Sequence, residues 1–251
     1  REGITSYTIV MADEITKQRS FYQFRGANAA FCEEDIDWDD LQADLLHIGY
    51  ILLLDALDAP DERYGTRLAR LLHHAQQHGI RTSVDVVTEA GERFRHIVIP
   101  ALKYTDYCII NEAEAQATTG VLLRDEEGRL LPENMPEALK RMRDKGVSTW
   151  AVIHCPEGGF GMDEQENYVA VPGLKLPDGF IKGSVGAGDA FCSGVLYAAW
   201  KGKSLREAIE LGTGAAACSL SRAGATEGMR SYEETMRLYR QLRENEAEVL
   251  P

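Results

Sequence analysis

Apolar runs that suit buried strands alternate with amphipathic helices along most of this sequence, and that alternation is what most constrains its fold. Leu45–Leu54 is a nearly continuous apolar run, typical of a strand buried on both faces. Glu62–His78 carries apolar residues at helical spacing and is followed by Gly79, a residue that often ends a helix. Ile80–Val86 then predicts the next strand. Such alternation predicts an α/β fold with a mostly parallel sheet covered on both faces.

The remaining sequence continues the pattern. Further helices are predicted at Arg93–Tyr104, Asn134–Lys145, Ala187–Trp200, Ser204–Ser221 and Tyr232–Asn245. Further strands are predicted at Tyr107–Ile110, Thr149–His154 and Asn167–Val171, with a Gly-rich turn at Glu157–Gly161. The start of the chain differs, because Tyr7–Met11 and Ser20–Phe24 are β-prone runs that predict a hairpin. Two strands are not stable alone, so we expect the hairpin to pack on something else.

Charge and cysteine usage narrow the partners of the protein. The 27 Lys and Arg residues against 40 Asp and Glu give a net charge of −13, which argues against a nucleic-acid partner. No run of 18 apolar residues exists, so no membrane association is expected. The cysteines are odd in number, scattered and free of CxxC pairs, which predicts free thiols in a reducing compartment, the cytoplasm. They are Cys32, Cys108, Cys155, Cys192 and Cys218.

The strongest motif is the glycine-rich stretch Gly183–Phe191, which directly precedes a long apolar helix. Glycines at a helix N-terminus let backbone N–H groups approach an anion such as a phosphate. Asp189 lies in the first turn, where its carboxylate suits a catalytic base aimed at an incoming hydroxyl. The alternative is that Asp189 only caps the helix. A Rossmann motif fails because Phe191 stands at its last glycine, and a P-loop ending at Ser204 lacks its first glycine.

The second motif is Asn111–Glu114, Asn-Glu-Ala-Glu, directly after an apolar strand. The carboxyl ends of strands carry the ligand sites of α/β sheets. Asn111 and Glu114 share a face of the opening helical turn, and an amide with a carboxylate suits a hydrated Mg²⁺ held with substrate phosphates. The alternative is ordinary acidic capping of the helix N-terminus.

Together, the two motifs resemble the ribokinase-like (PfkB) carbohydrate kinase family. The family signature D-T-x-G-A-G-D matches at Gly186–Asp189, and its N-x-x-E motif matches at Asn111–Glu114. Arg25–Ala29 and Leu46–Gly49 are also similar to the family's passage from lid to core. The resemblance implies a three-layer α/β/α fold with a mostly parallel central sheet and a small β lid. It divides the chain into an incomplete lid hairpin, 1–28, and a nucleotide-binding and catalytic domain, 29–251.

The resemblance also implies an activity and its residues. Asp189 would be the general base, and the N–H groups of Gly186, Ala187 and Gly188 would form the anion hole for the γ-phosphoryl group of ATP. Asn111 and Glu114 would organise the phosphates and Mg²⁺, with Glu114 acting through water. Nucleotide contacts are implied at Ser184, His154, Pro156, Gly159 and Thr213. Ser184 stands where the signature has Thr, the nucleotide-loop T-x-G pattern appears as His154-Cys155-Pro156 with Gly159 retained, and Thr213 lies where some relatives have Asn.

Departures from the family pattern shape the remaining expectations. Gly183 stands where the signature has an aspartate that serves the monovalent-cation site of some relatives, so we expect little dependence on K⁺. The strand, Gly-Gly motif and further lid segment with which the family begins do not precede Arg1, so most sugar-selecting residues are expected to be missing. The predicted function is an ATP-dependent kinase acting on a sugar or sugar acid. A nucleoside kinase and a non-catalytic binding homologue are the alternatives, and a homodimer through the lid is a family-based expectation.

Overall fold

The computed structural model describes residues 3–12, 19–87 and 92–249. Its strands are β1 (Tyr7–Ala12), β2 (Arg19–Phe24), β3 (Leu45–Ile51), β4 (Pro60–Asp61), β5 (Gly65–Thr66), β6 (Arg81–Val86), β7 (Tyr107–Asn111), β8 (Trp150–Cys155), β9 (Gly158–Met162) and β10 (Tyr168–Pro172). Its α-helices are α1 (Asp55–Asp58), α2 (Arg67–Gln77), α3 (Glu92–Leu102), α4 (Glu112–Thr119), α5 (Met135–Asp144), α6 (Ala187–Trp200), α7 (Leu205–Leu220) and α8 (Tyr232–Val249).

Six strands form the central sheet, in the order β10-β9-β8-β7-β6-β3. The four strands β3, β6, β7 and β8 are parallel, while β9 and β10 extend the sheet as an antiparallel hairpin. The predicted α/β class with a mostly parallel sheet is therefore confirmed. The parallel strands direct their carboxyl ends to one edge, where Asn111 and His154 lie side by side as partners in register.

Helices cover both faces of the sheet, which makes three layers. Alternate residues of β7 point to opposite faces, so Cys108 and Ile110 join the core beneath α2, α3 and α5. Tyr107 and Ile109 join the second core, beneath α6 and α7. A central strand whose side chains are buried on both faces reads as a continuous apolar run, which is the pattern that predicted it.

Two local predictions are wrong. Glu157–Gly161 is not a Gly-rich turn, because only Pro156 and Glu157 turn and Gly158 begins β9. A Cβ on Gly159 would lie 2.5 Å from Cγ2 of Ile209, so glycines in this strand let α7 pack closely against the sheet. The predicted helix at Glu62–His78 begins only at Arg67, since residues 60–66 form the β4–β5 hairpin.

The N-terminal hairpin, β1 and β2, is antiparallel as predicted. The polar connection between its strands, residues 13–18, lies outside the described residues. Its register places Ile9 opposite Tyr22 and Tyr7 opposite Phe24. Side chains on one face of a hairpin alternate along each strand, so these four share a face with Met11. All five are exposed, with Met11 and Tyr22 each at 59%. The hairpin therefore presents a largely apolar face to solvent, on which Ser20, the partner of Met11, is the polar member.

The cysteines are thiols within the fold. All five cysteines are free, and all except Cys155 are buried. Within the described ranges, no helix has the length and apolar character needed to cross a membrane.

Candidate active site

The glycine-rich turn ends at the N-terminus of α6. Gly186 is the N-cap residue and has a φ of +80°, a conformation that glycine adopts without strain. A Cβ on Gly186 would also lie 2.9 Å from the carbonyl oxygen of Ala225, so no side chain fits there. The first N–H groups of a helix have no acceptor within it, so the backbone of Gly186, Ala187 and Gly188 offers donors to an anion.

Asp189 is the third residue of α6, and its side chain is exposed. The capping alternative for this residue is not what the structure contains, because the N-cap is Gly186 and the helix has no side-chain capping bond. The carboxylate instead accepts a hydrogen bond at Oδ1 from the hydroxyl of Tyr50 in β3. Asp189 is thus held at the mouth of the glycine turn and can be reached from solvent.

Asp85 is a site residue that the motif analysis missed. It lies near the carboxyl end of β6, close enough to Glu114 and Asp189 for their charges to matter. Burial, together with the charges of Glu114 and Asp189, raises the pKa of Asp85 to about 8, although the hydrogen bond from the N–H of Val86 opposes the shift. Its position at a strand's carboxyl end was the available signal. Three carboxylates gathered at one edge of the sheet form a site that a cation would stabilise.

Asn111 and Glu114 form a capping box at the N-terminus of α4. The N–H of Glu114 donates to Oδ1 of Asn111 at 2.9 Å, and the N–H of Asn111 donates to Oε2 of Glu114 at 3.1 Å. The capping alternative is therefore realised in the structure. Capping leaves acceptor capacity on both oxygens, because each oxygen has a second lone pair.

The donor set fits a hydrated magnesium ion. Asp85, Asn111 and Glu114 supply hard oxygen ligands at neighbouring strand ends, the type that Mg²⁺ prefers. No three His, Cys, Asp or Glu side chains are close enough to form a metal cage by themselves in the part of the chain that the structure describes. Magnesium suits this arrangement because it keeps several waters and shares its remaining ligands with substrate phosphates.

A cavity of about 710 Å³ opens beside the glycine turn, lined by Ala187 and Gly188 but not by Asp189. Most of the predicted nucleotide-binding and anion-hole residues line it: Asn111, His154, Pro156, Ser184, Ala187, Gly188 and Thr213. Apolar residues that sequence reasoning missed complete the wall, among them Leu174, Leu176, Ile181 and Leu220. A mostly apolar cleft with a few polar groups at one end suits a flat ring system attached to a charged tail.

Other predicted residues lie outside that wall or serve packing. Gly159 does not line the cavity, and its absent side chain makes room for Ile209. The neighbouring residue Gly158 lines the cavity instead. Thr213 lines the cavity, but its hydroxyl donates to the carbonyl oxygen of Ile209 at 2.8 Å. Its hydroxyl proton is therefore already engaged.

His154 supports the glycine turn from below. Its ring lies 4.9 Å from the ring of Phe191, and a Cβ on Gly188 would lie 3.3 Å from Cε1 of the imidazole. Burial lowers the pKa of His154 to about 4, although the charge of Asp189 opposes the shift. The imidazole is accordingly neutral at physiological pH and packs as an apolar ring.

Curated relatives resemble most or part of the chain. An uncharacterized sugar kinase of Archaeoglobus fulgidus is 26% identical over 230 residues, which cover 91% of this chain and 81% of that protein. A ribokinase of Haemophilus influenzae is 29% identical over 138 residues, which cover 54% of this chain. That alignment spans 41% of the ribokinase, less than half of its length.

Solved structures share the fold. The ribokinase of Thermotoga maritima superimposes with a TM-score of 0.70 at 24% identity, covering 96% of this chain and 71% of that one. The ribokinase of Arabidopsis thaliana, complexed with ribose and ATP, gives a TM-score of 0.71 at 20% identity, covering 94% and 70%. A nucleoside kinase of Methanocaldococcus jannaschii gives 0.66 at 14% identity, covering 96% and 70%.

These similarities confirm the ribokinase-like three-layer architecture that the resemblance implied. The family model for pfkB family carbohydrate kinases matches residues 2–231, which include both motifs and the N-terminal hairpin. The chain therefore belongs to the pfkB family of carbohydrate kinases.

Proposed function

We propose that this protein transfers the γ-phosphoryl group of ATP to a hydroxyl group of a sugar or sugar acid. The observation that carries the proposal is the position of Asp189, an exposed carboxylate one turn into the helix whose N-terminus offers the anion site. A carboxylate beside an anion site repels a bound phosphate, so its presence there suggests that it has a function in the reaction. A base aimed at the acceptor hydroxyl gives it that purpose.

In the proposed mechanism, ATP occupies the 710 Å³ cavity with its ring system against the apolar wall. The γ-phosphoryl group meets the N–H groups of Gly186, Ala187 and Gly188, which stabilise the charge of the transition state. Asp189 takes the proton of the acceptor hydroxyl as that oxygen attacks phosphorus and ADP leaves. The proton thus passes to Asp189, the phosphoryl group passes to the acceptor oxygen, and ADP is the leaving group.

Magnesium would neutralise the β- and γ-phosphates in this site. We assign its protein ligands to Asn111 and Glu114, with Glu114 acting through water, and add Asp85 from the structure. Without a divalent ion, the charge of Glu114 would oppose the triphosphate, whereas Asp85, with its pKa raised to about 8, would be largely protonated until a cation binds. On the nucleotide side, we propose contacts from Ser184, His154, Pro156 and Thr213, while the role of Gly159 is to let α7 approach β9. The proposed nucleotide contacts are therefore those predicted from the sequence, with Gly159 left out.

We further propose that residues 1–28 form a lid over the acceptor site, that residues 29–251 form the catalytic domain, and that two chains dimerise through the hairpin. The exposed apolar face of β1 and β2 supports this, because such a face is stabilised when it is covered. Arabidopsis ribokinase, which has the same fold, was solved with ribose and ATP, and this favours a sugar as acceptor. Nucleosides remain the competing acceptor class, since a nucleoside kinase also has this fold.

The test is a coupled assay of ADP release with sugars, sugar acids and nucleosides as acceptors. Replacing Asp189 with Asn should lower kcat by about 10²–10⁴, the usual contribution of a general base, while ATP still binds. Asp144→Asn, at the far end of α5, is the matched control and should retain full activity. Near-normal turnover by the Asp189→Asn variant would contradict the assignment. Absence of ADP release with every acceptor would favour the non-catalytic alternative.

A further inference from the structure

Arg124 joins two segments of the candidate nucleotide site through a saturated set of hydrogen bonds. Its Nε donates to Oε1 of Glu112 at 2.8 Å. Its two terminal nitrogens donate to the two carboxylate oxygens of Glu157, at 2.8 and 2.9 Å, and one of them also reaches the carbonyl oxygen of Gly128 at 2.9 Å. The Arg124 side chain is 26% exposed and Glu112 18%, so that half of the bridge is partly shielded from solvent, whereas Glu157 is 45% exposed.

Of the two carboxylates, Glu112 lies in the cavity wall and Glu157 lies just outside it. Glu112 is the first residue of α4 and lines the cavity beside Asn111. Glu157 lies in the two-residue turn between β8 and β9, directly after Pro156, which lines the cavity as well. Arg124 follows α4 in the chain, and its side chain links the first residue of α4 to the β8–β9 turn.

We propose that Arg124 is a positioning residue for the nucleotide, one that fixes the N-terminus of α4 to the β8–β9 turn and cancels the charge of both carboxylates. This inference rests on the proposed function, because it assigns ATP to the cavity. Uncompensated charges on Glu112, in the cavity wall, and on Glu157, beside it, would repel a triphosphate, and loss of the bridge would remove the side-chain link between α4 and the β8–β9 turn. No motif shared with the family identifies this residue.

The shape of the guanidinium matters as much as its charge. A planar fork can bond one carboxylate with two parallel N–H groups and still reach a second, whereas a lysine ammonium acts as a point charge. The bridge also persists across the pH range of an activity assay. Hydrogen bonding to Arg124 lowers the pKa of Glu157 to about 2, so that carboxylate stays ionised.

The same loop supplies a matched control. Arg129 pairs with Asp125 at 2.7 Å and with Glu127 at 3.0 Å, but its side chain is 75% exposed and it contacts neither wall of the cavity. Replacing Arg129 with Met therefore removes a charge and two ion pairs within five residues of Arg124 without untying the cavity walls. Exposed pairs of this kind contribute little to stability.

The experiment measures the Kd of ATP with Mg²⁺ by titration calorimetry, together with thermal unfolding of each variant. Arg124→Met and Arg124→Lys should each weaken ATP binding by about tenfold, while the KM of the acceptor stays the same and Arg129→Met binds as the unchanged protein does. Glu157→Gln, which keeps Arg124 in place, should weaken binding less. The double variant Arg124→Met with Glu157→Gln should bind no worse than Arg124→Met alone, since both changes break one bridge.

Three outcomes overturn the inference, and they differ from a failure of the proposed function. An unchanged Kd in Arg124→Met would remove any role for the bridge. Normal binding by Arg124→Lys beside weak binding by Arg124→Met would leave charge alone as the cause. Equal losses in Arg124→Met and Arg129→Met would point to net charge. If ATP binding follows Arg124 but no acceptor is phosphorylated, the inference stands and the kinase assignment fails; if the unchanged protein does not bind ATP, both fail.

Discussion

The hydroxyl of Tyr50 donates a hydrogen bond to Oδ1 of Asp189, a residue 139 positions later in the chain. Burial raises the pKa of Tyr50, and the charges of Asp189, Asp85 and Glu114 raise it further, so the phenol remains a neutral donor. A bond to one carboxylate oxygen fixes the plane of the group and leaves the other oxygen to accept the proton of the acceptor hydroxyl. Tyr50 thus orients the proposed base.

Replacing Tyr50 with Phe should lower kcat by about tenfold, because a hydrogen bond to a charged group is lost from the orientation of Asp189. The Kd of ATP should not change, since neither Tyr50 nor Asp189 lines the cavity. Steady-state kinetics and calorimetry measure the two quantities. Tyr232→Phe on α8 is the control for loss of a phenol elsewhere, and a kcat equal in both variants would refute the role of Tyr50.

Potassium should have little effect on activity. Gly183 replaces the aspartate of the family signature, and a Cβ at this position would lie 2.6 Å from the carbonyl oxygen of Ala223. The backbone around Gly183 has therefore closed over the space that a carboxylate would need. We expect equal kcat/KM in Na⁺ and K⁺ buffers of the same ionic strength. A strong requirement for K⁺ would mean that other oxygens form a cation site here.

Acid should destabilise the protein through His154. The pKa of His154 is about 4 in the folded protein, against 6.5 for an unperturbed histidine, because burial disfavours the charged ring. The unfolded chain therefore binds one more proton between these values, and the free energy of unfolding should fall as pH drops from about 6.5 to 4. Urea unfolding at several pH values measures this slope. His154→Asn should flatten it and His78→Asn should not; parallel slopes in all three proteins would contradict the cause.

The apolar face of the hairpin should determine the oligomeric state. Changing Ile9 and Tyr22, which are cross-strand partners, to Lys places two charges on that face. Sedimentation velocity should then show a monomer where the unchanged protein is a dimer. Changing the partners Thr8 and Gln23 to Lys puts the same charges on the opposite face and should leave the dimer intact. A monomeric unchanged protein would rule out the hairpin dimer.

Elements whose signals are local could be predicted from the sequence. Helix α6 has the predicted bounds, because an apolar helix follows directly on a turn that only glycines allow. The helix predicted from Ser204 begins one residue later, because Ser204 is the N-cap of α7 and its hydroxyl accepts from the N–H of Glu207 at 3.3 Å. The capping box of Asn111 and Glu114 is equally local, and the sequence already offered it as an alternative to metal binding.

Features that depend on distant partners could not be predicted in this way. Consecutive glycines indicate a turn, but Gly159 lies in a strand. A glycine is required there because the side chain of Ile209, on α7, occupies the space that a Cβ would fill. Asp85 lies near Glu114 because β6 and β7 are neighbouring parallel strands, a pairing that the spacing of these residues in the sequence does not indicate. The contact between Tyr50 and Asp189 likewise has no signal in the spacing of either residue. Sequence spacing describes neighbours along the chain, whereas these relationships arise across the sheet.

The parallel order of β3, β6, β7 and β8 has a consequence for how the protein acquires its activity. Parallel neighbours need crossover connections, so each strand end reaches the site only after a long loop has closed. Folding is slow where such non-local contacts dominate. Asp189, on α6, and Tyr50, in β3, come into contact only when both of these elements are in place. Catalytic competence should therefore be the last property to appear during refolding, and the first to vanish when the sheet begins to open.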